Sequence, residues 1–475
     1  MINNFNYMII FKKITFLLVI LYATVSFSQV KLPSFFSSNM VLQQNTSVSI
    51  WGTDKPKVEI EVIGSWGEKV LTKTDKSGNW KVKLKTPIAG KTSYNISIKG
   101  SNNVILNDVL IGEVWLCSGQ SNMAMALKGF NFSPITNSNE TILNAKNNNI
   151  RFFTTERNAS LALENNVTGE WQVASPLTVK DFSATAYFFA KKIESILDIP
   201  IGLIHTSWGG SKVEAWMDVQ TLSNFKSIKL PESIPEKQQN QTPSLLYNAM
   251  IHPFVGYGIK GVIWYQGESN VIDPKGYKEL FPAMIKSWRE NWNQGDFPFY
   301  FVEIAPFNYK QGNSAFLRES QLQTMQTVLN TGMVTTIDIG NCNNIHPSEK
   351  EPIGNRLAYW ALSETYGVKG IGYNGPLYNK MEIVQDAKIK LYFDFVPNGL
   401  FVKGNELSGF EIAGEDKVFY PAKAQIKRDK TVEVWSETVT KPVAVRYAFN
   451  NCVEGSLYNT EGLPASSFRT DNWEN

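Results

Sequence analysis

The 475-residue sequence is poor in the two residue types that most often build metal sites and disulfide frameworks, since it has only three histidines and three cysteines. No CxxC, HExxH or Cys/His cluster is present, so we predict no metal site and no metal or organic cofactor. Three cysteines are too few for a disulfide framework. One pair among Cys117, Cys342 and Cys452 could form in an oxidising compartment, but their spacing does not identify which.

An excess of either charge is also lacking. Lysine and arginine number 46 against 43 aspartates and glutamates, which gives a net charge of +3. No long basic run is present, so we expect no nucleic-acid partner and no attraction to an anionic membrane surface. The sequence does not indicate an oligomeric state.

Long apolar runs are absent except at the N-terminus. Two lysines precede the run Ile14–Val25, and Ser26 and Ser28 stand at positions −3 and −1 of a cleavage point. This layout predicts a signal peptide over residues 1–28 and a secreted or periplasmic protein without a membrane anchor after cleavage. The alternative, an uncleaved anchor, is less favoured because the run is shorter than the ~20 residues that a span needs.

Three regions with different periodicities follow. Residues 29–107 and 373–475 show short runs of alternating polar and apolar residues, which predict two β domains that could also pair into one. Residues 108–372 alternate apolar runs with helical periodicity, which predicts an α/β domain with helices on both faces of a parallel sheet. Ser348 and Glu351 have the spacing of a capping box at the start of its last helix.

Four predicted strands of the α/β domain end in polar loops. Active sites of open α/β sheets lie at the carboxyl ends of the strands, so we expect these loops to converge. The loops are Ser118–Met123, His205–Ser211, Tyr265–Asn270, and the segment from Asp338 to His346.

Serine–histidine chemistry fits these loops, since a serine hydroxyl needs a base to become a nucleophile. Ser121 begins a predicted strand-to-helix turn, where an ordinary helix-capping serine is the alternative interpretation. His346 precedes a predicted helix and is the favoured base, whereas His252 lies in an apolar stretch and His205 ends a strand. Ser269 is the rival nucleophile, and no GxSxG elbow is present.

The motifs together resemble the sialate O-acetylesterase family of the SGNH hydrolases. The resemblance rests on Gly119–Met123, Gly209–Gly210 with Glu214–Trp216, Trp264–Asn270 and Ile345–Pro347, and extends to both flanks through Asn39–Gln43 and Phe468–Asp471. It implies a flavodoxin-like three-layer α/β/α core with flanking N- and C-terminal β-sandwich-like segments. It also implies acetyl-ester hydrolysis on sugars.

Carried over by position, the resemblance makes Ser121 the nucleophile and His346 the base. The N–H groups of Ser121 and Gly210 would form the oxyanion hole with a side chain of the 266–270 loop, for which Asn270 is the candidate. Weaker substrate-binding candidates are Gln120, Trp208, Gln266 and Glu268. The aromatic residues Trp208, Trp216, Trp264 and Tyr265 could stack on a sugar, although a core role is the commoner one for such residues.

One position departs from the SGNH pattern. Many SGNH enzymes have Asp three residues before the histidine, and this chain has Asn343 there. Either a Ser–His dyad operates, or a more distant acid such as Asp338 orients the histidine. We expect a sugar O-acetylesterase, with sialates as the substrate that the family implies and acetylated plant glycans as the alternative substrate class. The alternative from a different functional class is a sugar-binding protein without catalytic activity.

Overall fold

The computed structural model describes residues 29–473, and the predicted signal peptide lies outside them. The N-terminal segment is built of short strands whose buried and exposed residues alternate, as in β5, where Trp80, Val82 and Leu84 are buried. Its strands are β1 (Val41–Gln43), β2 (Ser47–Thr53), β3 (Glu59–Gly64), β4 (Lys69–Lys73), β5 (Asn79–Lys85) and β6 (Tyr94–Lys99).

The central segment is a mostly parallel sheet. Its strands are β7 (Asn103–Gly119), β8 (Asn147–Thr154), β9 (Trp171–Ala174), β10 (Ile201–Ser207), β11 (Gly261–Tyr265), β12 (Phe299–Val302) and β13 (Thr331–Val334). They are ordered β13-β12-β11-β7-β10-β8-β9, with only β9 antiparallel. The long strand β7 also pairs with β1 and β6, so it runs through the predicted boundary at residue 107.

The helices of this segment cover both faces of the sheet. They are α1 (Ser121–Ala124), α2 (Ser138–Leu143), α3 (Pro176–Val179), α4 (Ala184–Leu197), α5 (Val219–Leu222), α6 (Pro274–Trp292), α7 (Ser314–Thr327) and α8 (Lys350–Trp360). Short 3-10 or π-helical turns are Val213–Trp216, Gln239–Gln241, Tyr247–Ile251, His252–Phe254, Glu268–Asn270 and Ala361–Thr365.

Two apolar cores lie on opposite faces of the sheet, because successive residues of a strand point to opposite sides. In β11, Ile263 joins the core beneath α4 and α8, whereas Val262 and Trp264 join the core beneath α6 and α7. Gly354 lets α8 approach α4 closely, since a Cβ there would lie 2.5 Å from Cβ of Phe188. The predicted three-layer α/β/α core is thereby confirmed.

The C-terminal segment forms three small sheets. Its strands are β14 (Leu377–Val384), β15 (Lys388–Asp394), β16 (Leu400–Val402), β17 (Phe410–Ala413), β18 (Phe419–Pro421), β19 (Lys423–Ile426), β20 (Val432–Trp435), β21 (Ala444–Tyr447), β22 (Leu457–Asn459) and β23 (Phe468–Arg469). None of them pairs with an N-terminal strand within residues 29–473. The domain limits stay a prediction.

This segment is fixed to the central one by buried polar contacts. The guanidinium of Arg318, in α7, donates to Ser467 Oγ at 3.0 Å and to the Asn450 carbonyl at 2.7 Å. A disulfide joins Cys342 to Cys452. Across residues 29–473, no helix combines the length and apolar character that a membrane span requires.

Candidate active site

Three adjacent strands end in register at one edge of the sheet. Gly119, the last residue of β7, pairs with Ser207 of β10 on one side and with Tyr265 of β11 on the other. The loops that follow these strands therefore begin side by side, as expected for the carboxyl edge of a parallel sheet. Gly119 has a φ of 139°, and a Cβ there would lie 2.2 Å from the Tyr265 carbonyl oxygen, so only glycine fits.

Ser121, two residues after Gly119, is the first residue of α1 and is half-buried. The chain reaches it through Gln120, whose N–H donates to the Tyr265 carbonyl at 2.9 Å. Across the cleft, a Cβ at Gly209 would lie 3.3 Å from Cβ of Ser121, so the second loop passes immediately beside the serine. The absence of a side chain at Gly209 leaves the hydroxyl room for a substrate.

The turn after β10 presents a second main-chain donor. Gly210 has a φ of 72°, in the left-handed region that glycine adopts most readily. Asn240 holds this turn, because its Nδ2 donates to the Gly209 carbonyl at 2.7 Å. Within residues 29–473 the N–H groups of Ser121 and Gly210 have no hydrogen-bond acceptor. Two such donors beside a serine suit an oxyanion, and that role stays a prediction.

In the 266–270 loop the side chains of Gln266, Glu268 and Asn270 are buried and largely bonded to protein. Gln266 Nε2 donates to the Ser211 carbonyl at 3.0 Å and to Asn270 Oδ1 at 2.8 Å. Asn270 Nδ2 donates to Glu214 at 2.9 Å. Gln120 Oε1 accepts the Gly267 N–H at 3.2 Å. These contacts tie the loops together, and a direct role of Gln120, Gln266 or Asn270 toward substrate stays a prediction.

A buried polar cluster of Asn122, Glu268 and Lys350 links the serine turn to two other loops. Asn122 Nδ2 donates to Glu268 Oε1 at 2.5 Å and to the carbonyl of Ile345 at 3.1 Å. Lys350 Nζ donates to Asn122 Oδ1 at 2.6 Å. Burial lowers the pKa of Lys350 to about 7 and raises the pKa of Glu268. Ile345 immediately precedes His346, so this cluster fixes the serine and the histidine relative to each other.

His346 lies in the long loop between β13 and α8. Its N–H donates to Asn344 Oδ1 at 2.9 Å, and the Phe130 ring meets its imidazole edge-on with 5.4 Å between centroids. Burial, followed by the positive charge of Lys350, lowers the pKa of His346 to about 4. No hydrogen bond joins the Ser121 hydroxyl to this imidazole within residues 29–473. Catalytic hydrogen bonds often form fully only with substrate, so the pairing stays a prediction.

Asp338 lies at the start of the same loop and is engaged elsewhere. Its two carboxylate oxygens accept hydrogen bonds from the Arg356 guanidinium at 2.8 and 2.7 Å. Asn343 is exposed, and its N–H donates to Asn341 Oδ1. Within residues 29–473, neither Asp338 nor Asn343 has a hydrogen bond to His346. The ion pair gives Asp338 a structural role, while its role as an orienting acid stays a prediction.

The other histidines occupy structural positions. His205 is buried, and its Nε2 lies 2.7 Å from Ser207 Oγ. Burial is the largest cause that lowers the pKa of His205 to about 4. His252 Nδ1 donates to the Glu164 carbonyl at 2.8 Å, which gives this histidine a structural contact away from Ser121.

The aromatic residues near the strand ends divide into two groups. Trp216, Trp264 and Tyr265 are fully buried, so they belong to the core and cannot stack on a sugar. Trp208 is half-buried, and its N–H donates to the Gly119 carbonyl at 3.1 Å. Of the four, only Trp208 therefore retains surface that a substrate could contact.

Sequence reasoning missed several residues that assemble this site. Lys350, Asn240 and Asn344 were not singled out, and no local pattern marks any of them. Asn122 stood inside a recognised motif, yet the three partners of its side chain are 146, 223 and 228 residues away in sequence. Such contacts depend on tertiary structure, so spacing alone could not find them.

Comparison with known families places the chain among sugar esterases. Residues 111–363 match the family described as "Carbohydrate esterase, sialic acid-specific acetylesterase". The match covers more than half of the chain and includes Ser121, Gly210 and His346.

Individual relatives extend the similarity to the flanking segments. The human sialate O-acetylesterase is 31% identical over 395 residues, which cover 74% of each chain. The mouse sialate O-acetylesterase is 28% identical over 426 residues, 76% of this chain and 78% of the relative. A crystal structure of a carbohydrate acetylesterase from Xanthomonas citri superposes with a TM-score of 0.86 at 36% identity and covers 94% of this chain and all of that one.

Proposed function

The chain belongs to the sialic acid-specific acetylesterase family of carbohydrate esterases, and we propose that it removes acetyl groups from sugars, sialates first, through an acyl-enzyme on Ser121. The observation that carries this proposal is the junction of three strand ends. It combines a serine at a strand-to-helix turn, two unengaged main-chain N–H groups, and a histidine loop bonded to the residue after the serine.

In the proposed reaction His346 accepts the proton of Ser121 as the hydroxyl attacks the acetyl carbonyl carbon. The N–H groups of Ser121 and Gly210 donate to the oxyanion of the tetrahedral intermediate, and each such donor is worth about 3–4 kcal/mol. His346 then protonates the departing sugar oxygen, which leaves an acetyl ester on Ser121. Water, deprotonated by His346, hydrolyses that ester and regenerates the hydroxyl.

Residues 29–473 contain no group of three His, Cys, Asp or Glu side chains placed to hold a metal ion. The proposed reaction uses only Ser121, His346 and main-chain N–H groups. We therefore expect the protein to keep full esterase activity in excess EDTA.

We also propose that the protein acts in a secreted or periplasmic location. The Cys342–Cys452 disulfide supports this, because disulfides persist mainly in oxidising compartments.

Hydrolysis of p-nitrophenyl acetate tests the assignment of the two residues. Ser121→Ala and His346→Ala are each expected to lower kcat on the order of a million-fold, as loss of either member does in serine–histidine catalysis. Ser269→Ala is the matched control, since Ser269 is half-buried in the neighbouring loop and should tolerate the change. Loss of activity in Ser269→Ala with retention in Ser121→Ala would reverse the assignment.

A panel of acetyl esters tests the substrate. O-acetylated sialic acids are expected to be hydrolysed with a higher kcat/KM than acetylated xylan or xyloglucan fragments. Preference for the plant glycans would retain the esterase mechanism and change the substrate class.

A further inference from the structure

One large apolar side chain beside the candidate active site is almost completely in water. Phe132 is 99% exposed, more than any other large hydrophobic residue in the described range 29–473. Single exposed apolar residues are common on protein surfaces, so exposure alone would carry no argument. Two further features distinguish Phe132: its backbone conformation, and the attachment of its turn to the loop that carries His346.

The first observation is backbone strain. The Phe130 and Ser133 main chains exchange hydrogen bonds of 2.9 and 3.0 Å, which closes a four-residue turn. Phe132, the third residue of that turn, has a φ of 62°. Turns place Gly or Asn where φ is positive, whereas a bulky residue there is an outlier. The chain thus has a conformationally unfavourable residue at a site where its ring gains no burial.

The second observation is the attachment of this turn to the histidine loop. Asn344 Nδ2 donates to Ser133 Oγ at 2.9 Å and to the Phe132 carbonyl at 3.3 Å. Oδ1 of the same Asn344 accepts the N–H of His346. Phe130, at the other side of the turn, packs against the imidazole itself. The Cα of Phe132 is at most about 7 Å from that of Phe130, so the Phe132 ring is carried by the same turn whose Phe130 ring contacts His346.

We propose that Phe132 is a substrate-binding platform whose ring stacks on the C–H face of a sugar ring of the acetylated substrate. The inference rests on the proposed function, because a sugar is the occupant that an acetylesterase cleft of this family would hold. A pyranose has an apolar face of C–H groups, and an exposed aromatic ring is the side chain that packs on such a face. Backbone strain of this type persists where the surrounding structure holds it, and here Asn344 bonds the Phe132 carbonyl and Ser133 Oγ.

Phe132→Asn separates binding from structure, because Asn adopts positive φ readily and keeps the turn. For Phe132→Asn we expect kcat/KM on an O-acetylated sialoside to fall about tenfold relative to kcat/KM on p-nitrophenyl acetate. The fall should come from a higher KM for the sialoside. The melting temperature should not fall, since the strained residue has been replaced. Phe132→Trp should keep the wild-type ratio of the two kcat/KM values, because it retains an aromatic ring at the same strained backbone position.

Leu329→Asn is the control for surface apolarity. Leu329 is 79% exposed just before β13, at the amino edge of the sheet, so its replacement should change neither rate. Equal losses of kcat/KM on both esters in Phe132→Asn would instead show that Phe132 only supports His346, and wild-type kcat/KM on both esters would show that the ring contacts no sugar. Either result overturns the proposal.

A binding measurement keeps this test separate from that of the reaction. In the Ser121→Ala background, calorimetric titration with the O-acetylated sialoside should show about tenfold weaker binding when Phe132→Asn is added. Equal binding with and without the ring would refute the platform. Wild-type protein that hydrolyses p-nitrophenyl acetate and binds the sialoside without deacetylating it would refute the proposed substrate while leaving the platform intact.

Discussion

At the level of single residues, the candidate base His346 has an electrostatic environment that favours its neutral form. It is partly buried, it faces the ring of Phe130, and the Lys350 ammonium is close enough to lower its pKa. The carboxylate of Asp338, which could have opposed these effects, is occupied by Arg356. The imidazole is therefore available as a proton acceptor over an unusually wide acidic range.

The acid limb of the pH profile should lie well below the usual range for histidine. His346 must be neutral to accept the serine proton, and its pKa is about 4 against an ordinary 6.5. As pH falls, kcat/KM on p-nitrophenyl acetate should hold until about pH 4 and decline below it. Circular dichroism at each pH checks that the fold persists. A limb near pH 6.5 would contradict the environment described here.

Residues in contiguous motifs were the ones that sequence could identify. Ser121 was predicted from its position after a strand and Gly210 from the family resemblance; both lie in loops at the same edge of the sheet, and their roles stay predictions. Asn270 was the candidate third donor; its Nδ2 donates to Glu214 in the neighbouring Val213–Trp216 turn, and its role toward an oxyanion stays a prediction. A motif specifies which residue is present and not which partner its side chain takes, so this assignment needed the tertiary structure.

At the level of elements, the sequence predicted the type of each region, because its strands are short apolar or alternating runs between turn residues. Phe299–Val302 is wholly apolar, whereas Val432–Trp435 and Ala444–Tyr447 each contain one charged residue. The start of α8 was not predicted correctly. The capping box of Ser348 and Glu351 is not formed, and the helix begins at Lys350, whose side chain turns inward to Asn122. Local helix-capping rules take no account of such a tertiary contact.

The cluster of Asn122, Glu268 and Lys350 joins three loops, so its loss should affect catalysis more than substrate binding. Lys350→Met leaves Asn122 Oδ1 and the Glu268 carboxyl without their buried cation. We expect kcat on p-nitrophenyl acetate to fall at least tenfold, stability to fall by about 3 kcal/mol, and the acid limb to move up from pH 4 toward 6.5. The shift in pH follows because Lys350 is one of the causes that lower the pKa of His346.

The double variant Lys350→Met/Glu268→Gln distinguishes charge from packing. The amide that replaces the Glu268 carboxyl would still accept a hydrogen bond from Asn122 but would carry no charge, so stability should recover relative to Lys350→Met alone. Thermal unfolding of the two single variants and the double variant gives the coupling directly. Additive losses in stability would mean that the two charges act independently.

For the whole molecule, the C-terminal segment holds the loop that carries His346. Cys342 lies four residues before His346, and Cys452 lies just after β21. Next to the disulfide, the Phe307 N–H donates to the Asn451 carbonyl, and the Asn308 N–H donates to the Cys342 carbonyl. The sequence indicated that one cysteine pair could form, but pairing across 110 residues depends on how the β segment docks.

Removal of this disulfide should therefore reduce both stability and activity. The chain-entropy model gives about 4–5 kcal/mol for a loop of this length, so Cys342→Ser/Cys452→Ser should unfold at a clearly lower temperature. Below that temperature kcat should fall several-fold on every ester, because the His346 loop loses its tether to β21. Cys117→Ala is the control, since this buried cysteine is free, and that variant should respond to dithiothreitol as the wild type does. Retention of full activity and melting temperature after reduction would show that the hydrogen bonds of Asn122 and Asn344 hold the loop by themselves.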